Sequence, residues 1–303
     1  MNEGDKIAYT IGVDLGGTRI KAVLLDVGQG VVVNRLTCDS LGSEFEGWKI
    51  KIKEMVVELQ TGLDSPIMGI GLAAPGIAAS NRQSIALMPG RLSGLEGFQW
   101  SSYLDRSVTV INDGQSALLA EVYYGQLKGV TDGFLLTLGT GVGGALWLNN
   151  QLYGGKHHFA GHLGHLSIDA NSVDRGITSM PGSLEAAIGN ESVGKRSWQH
   201  YQHTKDLVMA YENQEPIASY VWLNSVRQLA IGLASLINVF APEKIVLSGG
   251  IANAGESLFQ PLNAFMNCYE WCPMGENVPI VKAEFEEWSG AIGAAVAVIE
   301  CKN

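Results

Sequence analysis

The sequence predicts an α/β protein built from two related lobes. Three observations carry that expectation. Strand-like apolar runs alternate with helix-length amphipathic stretches. A strand–glycine turn–strand unit near residue 14 recurs near residue 139. Glycine is in excess, 38 of 303 residues against an average of about 7%, and shows no collagen-like period. The surplus therefore marks tight turns and places where backbone approaches a ligand closely.

The elements follow in order. Residues 11–15 alternate as a strand, and after a glycine turn 20–26 and 31–36 complete a β-meander. Trp48, Ile52, Met55, Val56 and Leu59 fall at helical spacing within 47–61. The apolar run 67–73 reads as a buried strand that stops at Pro75-Gly76. A further strand, 108–111, delivers Asn112-Asp113 to its carboxyl end, and 116–124 is a helix. Strand 134–138, glycine turn 139–144 and strand 145–148 then repeat the opening device. A long apolar helix, 217–240, precedes strand 245–247 and a glycine turn at 249–250, and an Ala-rich helix closes the chain. By pattern the boundary lies near residue 113, giving lobes 1–113 and 114–289, with the C-terminal helix 290–303 packing back on the first.

Composition narrows the function. Hydrophobic residues make up 46% and charged residues 17%, so a large core is available and disorder is excluded as the main state. Thirty acidic against twenty basic residues give a formal charge of −10, and no basic run exists to track phosphates, so no nucleic-acid partner is expected. Four scattered cysteines make no disulfide framework. The polar, acidic start is unlike a signal peptide, and the uncharged stretch 133–155 suits two strands and a turn better than a membrane span. A soluble cytoplasmic protein with no membrane partner is expected.

Three glycine turns stand out as cradles. In Asp14-Leu15-Gly16-Gly17-Thr18, with Lys21 following, adjacent glycines let main-chain N–H groups approach an anion. Thr18 adds a hydroxyl and Lys21 a cation, while Asp14 suits a hydrated magnesium ion. The alternative is an ordinary hairpin with Asp14 satisfying turn amides. Gly139-Thr140-Gly141-Val142-Gly143-Gly144 has G-x-G-x-x-G spacing, but a strand pattern follows where a dinucleotide fingerprint needs a helix. A hydride-transfer enzyme is accordingly disfavoured, and no Walker-type loop is present. Gly249-Gly250 is a third approach point, or else a bare strand-to-helix turn.

Polar residues supply the chemistry. At a strand's carboxyl end, Asp113 fits a general base that takes a proton from an attacking hydroxyl. It equally fits a cap on the next helix. His157, His158, His162 and His165 crowd into nine positions, which suits a ligand pocket, a metal site or a plain loop.

Together these motifs, with Gly161-His162-Leu163-Gly164-His165 and Gly290-Ala291-Ile292-Gly293-Ala294, resemble the ROK family of repressors, open reading frames and sugar kinases over nearly the whole chain. The resemblance implies a two-lobed actin-like, sugar-kinase (ribonuclease H-like) fold, mixed sheets flanked by helices, and often a homodimer. It implies an ATP- and magnesium-dependent kinase of a hexose or hexose derivative. Asp14, Gly17, Thr18 and Thr140 would line the phosphates, and Gly249-Gly250 the adenosine side. Asp113 would be the base, Asn112 would grip sugar hydroxyls, and Gly76 would touch the sugar through its backbone. His165 and Glu185 match sugar-contacting positions of the family.

Two departures matter. The family's usual Glu-x-Gly-His is His162-Leu163-Gly164-His165 here, so a double acceptor becomes an imidazole with one acceptor and one donor when neutral. That motivates an alternative, a noncatalytic sugar-sensing member. The family's zinc-binding cysteines correspond to Gly176, Thr178 and Ser183, with Gly182 retained, so no structural zinc is expected. Because the phosphate strand begins by residue 11, no N-terminal DNA-binding helices are expected either.

Overall fold

A computed structural model describes residues 8–40, 47–88, 92–173, 175 and 179–301. The chain divides into two compact units. The first comprises residues up to 129, 152–160 and 284 onward; the second comprises 130–151 and 161–283.

The first unit is a mixed five-stranded sheet with helices on both faces. Tyr9–Leu15 pairs antiparallel with Arg19–Asp26, which pairs antiparallel with Val31–Asp39. On the other side Tyr9–Leu15 pairs parallel with Ile70–Ala74, and that strand with Val108–Asn112. The period of two sorts the first strand's side chains. Ile11, Val13 and Leu15 enter a core shared with Trp48, Ile52, Met55, Val56 and Leu59 of the helix Gly47–Gln60. Gly12 and Asp14 point to the opposite face.

That opposite face takes the C-terminal helix Ser289–Glu300, which approaches main chain to main chain. A β-carbon on Gly12 would run into the Ala291 carbonyl, and one on Gly71 into that of Ala294. Gly293 lies equally tight against the Ser116 carbonyl of the helix Asp113–Tyr124. The expected boundary at residue 113 thus falls inside the first unit, because this helix packs against the C-terminal one there.

The second unit repeats the plan. Gly133–Leu138 pairs antiparallel with Val142–Leu148 and parallel with Lys244–Ser248, which pairs parallel with Ile280–Lys282. Both sheets therefore open on a hairpin closed by a glycine turn and continue in parallel strands beyond the first strand. The helix Pro216–Phe240 is long and apolar enough to cross a membrane, but Val221, Trp222, Val226, Leu229 and Leu233 bury its inner face in this unit's core. All four cysteines are free.

Candidate functional site

In the first unit the candidate side chains gather where the parallel strands end. Asp14 stands opposite Lys21 across one strand pair and beside Ala73 across the other. One register step on, Ala74 aligns with Asn112.

Asn112, not Asp113, caps the following helix. Its Oδ1 accepts from the N–H groups of Gly114 (2.9 Å) and Gln115 (3.2 Å). Its Nδ2 donates to the Gly76 carbonyl (2.8 Å) and to Asp113 Oδ1 (2.9 Å). All four hydrogen bonds available to the amide are thereby made within the protein, so gripping a sugar would break one of them. Asn112 instead orients Asp113, whose side chain is exposed at the strand end. Gly76 is required by conformation (φ 98°), and a β-carbon there would lie 2.5 Å from the Leu87 carbonyl.

Asp14 is half-buried, and its pKa is pushed up to about 7. Burial contributes most and the negative charge of Asp113 adds to it, while Lys21 opposes both. A second carboxylate beside a half-buried one leaves negative charge that a dication would offset. Hard oxygen donors with room for water are what magnesium prefers, so Asp14 fits that ion. Among the described residues no group of three or more His, Cys, Asp or Glu side chains forms a metal cage.

The first glycine turn is pinned by a residue that the sequence motif did not contain. Buried Ser40 donates from Oγ to the Gly17 carbonyl (2.8 Å) and from its N–H to that of Thr18 (2.9 Å). Gly16 N–H closes the turn onto the Arg19 carbonyl (3.0 Å), leaving no room for a β-carbon at Gly16. Lys21, expected to face phosphate, donates to the Glu287 carbonyl (2.9 Å) and pairs with its carboxylate (3.1 Å).

In the second unit the other glycine hairpin is tied to the chain after Ile188. The Asn190 N–H donates to the Gly139 carbonyl (2.9 Å) and the Glu191 N–H to that of Thr140 (2.9 Å), while Gly139 N–H closes on Gly141 (2.9 Å). Beside it lies a cavity of about 580 Å³, within the range of small-molecule sites, lined by Gly139, Thr140, Thr204, Lys205, Gly250 and Asn253 among others. Thr204 Oγ1, buried in that wall, has no hydrogen-bond partner among the described residues. Gly249 must be glycine: its φ is 91° and a β-carbon would strike the Leu138 carbonyl.

His162 and His165, both half-buried, stack with ring centres 6.0 Å apart. Burial, and secondarily His165, push the His162 pKa down, which favours the neutral imidazole. Gly164 lies against the Val142 carbonyl, and Glu185 Oε2 accepts the Val142 N–H (3.2 Å). These three candidates therefore meet around the glycine hairpin. His157 and His158 belong to the first unit, so the four histidines divide between units. Ser183 caps Leu184–Ile188 through the Ala186 N–H (3.2 Å), while Gly176 and Thr178 lie outside the described residues.

The model of the ROK family matches residues 10–300. The glucokinase of Halalkalibacterium halodurans is 27% identical, over 97% of this chain and 96% of that protein. The xylose repressor of Bacillus spizizenii is 23% identical, over 97% of this chain and 78% of that protein. The crystal structure of the ROK hexokinase from Thermus thermophilus superimposes with a TM-score of 0.84 at 27% identity, covering 97% of this chain and 99% of that one.

Proposed function

The chain belongs to the ROK family and has its actin-like fold, and from that premise we propose that it transfers the γ-phosphoryl group of ATP to a hydroxyl of a hexose or hexose derivative. The observation that carries the reading is the pair of carboxylates, Asp14 and Asp113, at the ends of parallel strands in the first unit. A sugar kinase needs a base at the acceptor hydroxyl and negative groups for the metal that accompanies the nucleotide.

Asp113 takes the proton from the attacking hydroxyl, a contribution of about 10²–10⁴ in rate. Asn112 holds that carboxylate through Nδ2 and fixes the Gly76 carbonyl with its other N–H. A magnesium ion held through water by Asp14 would supply positive charge at the phosphoryl oxygens. Main-chain N–H groups of Gly17, Thr18, Thr140 and Gly141, in the two glycine turns, act on the phosphates. The second unit's cavity takes the nucleoside, with Gly250 open beside it and the Thr204 hydroxyl available to a ligand. His162, His165 and Glu185 supply the sugar contacts of that unit.

Glucokinase among the relatives supports a kinase, and four free cysteines suit a reducing cytoplasm. The proposal extends to a homodimer, measurable by sedimentation. A coupled ADP-release assay over hexoses, N-acetylated hexoses and glycosides tests the activity: sugar-dependent release supports it. Sugar binding without release would favour the second reading, a noncatalytic sensor, which rests on His162 in place of the family carboxylate and on the repressor relative.

A further inference from the structure

Glu121 is fully buried, yet it touches no substrate candidate. It lies on the helix that begins at Asp113, and among the described residues it has no ion-pair partner. Its charge is held by main-chain N–H groups alone. Oε1 accepts from Glu284 (2.9 Å) and Phe285 (3.2 Å), and Oε2 accepts from Gln126 (2.9 Å). Gly125 has no space for a β-carbon beside Oε2, so the chain must turn there as glycine.

One clasped segment lies just before the first unit's opening stretch ends at Gly129, and the other begins that unit's last stretch at Glu284. From Glu284 onward the chain is fastened twice more. Lys21 holds Glu287, and Ser116 Oγ donates to the Gly290 carbonyl (2.6 Å). Ser116 and Glu121 lie on the same helix as Asp113, while Gly290 lies against the Asp14 carboxyl.

We infer that Glu121 is a positioning residue, which locks residues 284–290 to the Asp113 helix and thereby sets Asp14 and Asp113 on one frame. A carboxylate is required because all three neighbours are donors and only an acceptor pair satisfies both segments. A glutamine at this position presents one oxygen and one NH₂ group. It can therefore keep one segment and must release the other.

Hydrogen exchange on the full-length protein, read at single amides, tests this without any reliance on kinase activity. In Glu121→Gln, exchange should quicken by about tenfold or more either at Gln126 or at Glu284 and Phe285. In Glu121→Ala it should quicken at all three. Amides in the strand Val108–Asn112 should stay protected in both, which separates a released clasp from a protein that fails to fold. Unchanged exchange at all three amides in the glutamine variant would overturn the inference, as would uniform loss of protection in both variants. The kinetic arm rests on the proposed kinase: Glu121→Gln should lower kcat at least about tenfold with ATP affinity unchanged. A fall in ATP affinity alone would contradict the positioning role.

Discussion

The Asp14 carboxyl lies against the backbone of Gly290: a β-carbon on that glycine would stand 2.6 Å from both the carboxyl carbon and Oδ2. The start of the Ser289–Glu300 helix therefore forms one wall around the acid proposed to serve the metal. Gly290→Ala should displace either the helix or the carboxyl, at a cost of about 1–3 kcal/mol. Urea unfolding measures the cost. A variant as stable and as active as wild type would show that the wall yields freely.

The raised pKa of Asp14 has a consequence for stability. In the unfolded chain the group titrates near 3.8, and in the folded protein near 7. Between these values the folded state binds more protons, so stability falls as pH rises through that window and levels off above it. Asp14→Asn removes the penalty. In metal-free protein the variant's Tm should gain on wild type between pH 5 and pH 8, and magnesium should narrow the gap at pH 8 by stabilising wild type. A Tm difference independent of pH would refute the shift.

Thr204→Val makes a two-sided prediction. Because Oγ1 is buried without a partner among the described residues, replacing it with a methyl group should leave the free protein unchanged or slightly more stable. The same change should weaken nucleotide binding by about 1 kcal/mol, roughly fivefold. Calorimetry with ATP and a thermal melt check both halves. Undiminished ATP binding would remove the hydroxyl from the nucleotide site.

His162 tests the sugar side. Its neutral imidazole offers one acceptor where a carboxylate would offer two oxygens, so His162→Glu should reorder sugar preference and not merely scale all rates. Measured over the same sugars, kcat/KM should rise for some and fall for others. A uniform change across the panel would deny His162 a place at the sugar.

Much of the first unit was legible because its geometry is local. The Asp14-to-Lys21 hairpin and the Asn112-Asp113 junction are written in adjacent residues, where glycines and a strand-end polar pair fix the backbone. Asn112 proved to be the cap, a distinction that rests on hydrogen-bond directions that residue type alone does not fix. What sequence hid comes from far along the chain. Lys21 reads as a phosphate ligand until Glu287, 266 positions away, is seen to hold it. Ser40 and Glu121 carry no motif of their own, and Gly290, though part of a motif, acquires its place beside Asp14 only when distant segments pack. The cavity lining of His203, Thr204, Lys205 and Asn253 likewise follows from two helical segments meeting a glycine hairpin. The echo between the sheets was legible because each is announced by a glycine turn between strands.

Asn112→Ala should uncap the Asp113 helix and release the Gly76 carbonyl together. Loss of the cap costs about 1 kcal/mol. Since Asp113 then loses its Nδ2 contact, kcat should fall more than stability alone accounts for. Equal losses in Asn112→Ala and in a surface helix variant of matched stability would argue against an orienting role.

Single-turnover phosphoryl transfer by Asp113→Asn, with ATP and the sugar that wild type phosphorylates, bears most directly on the central proposal. Sugar affinity should stay within about twofold of wild type, and the transfer rate should fall by about 10²–10⁴. A transfer rate equal to that of wild type would contradict that proposal.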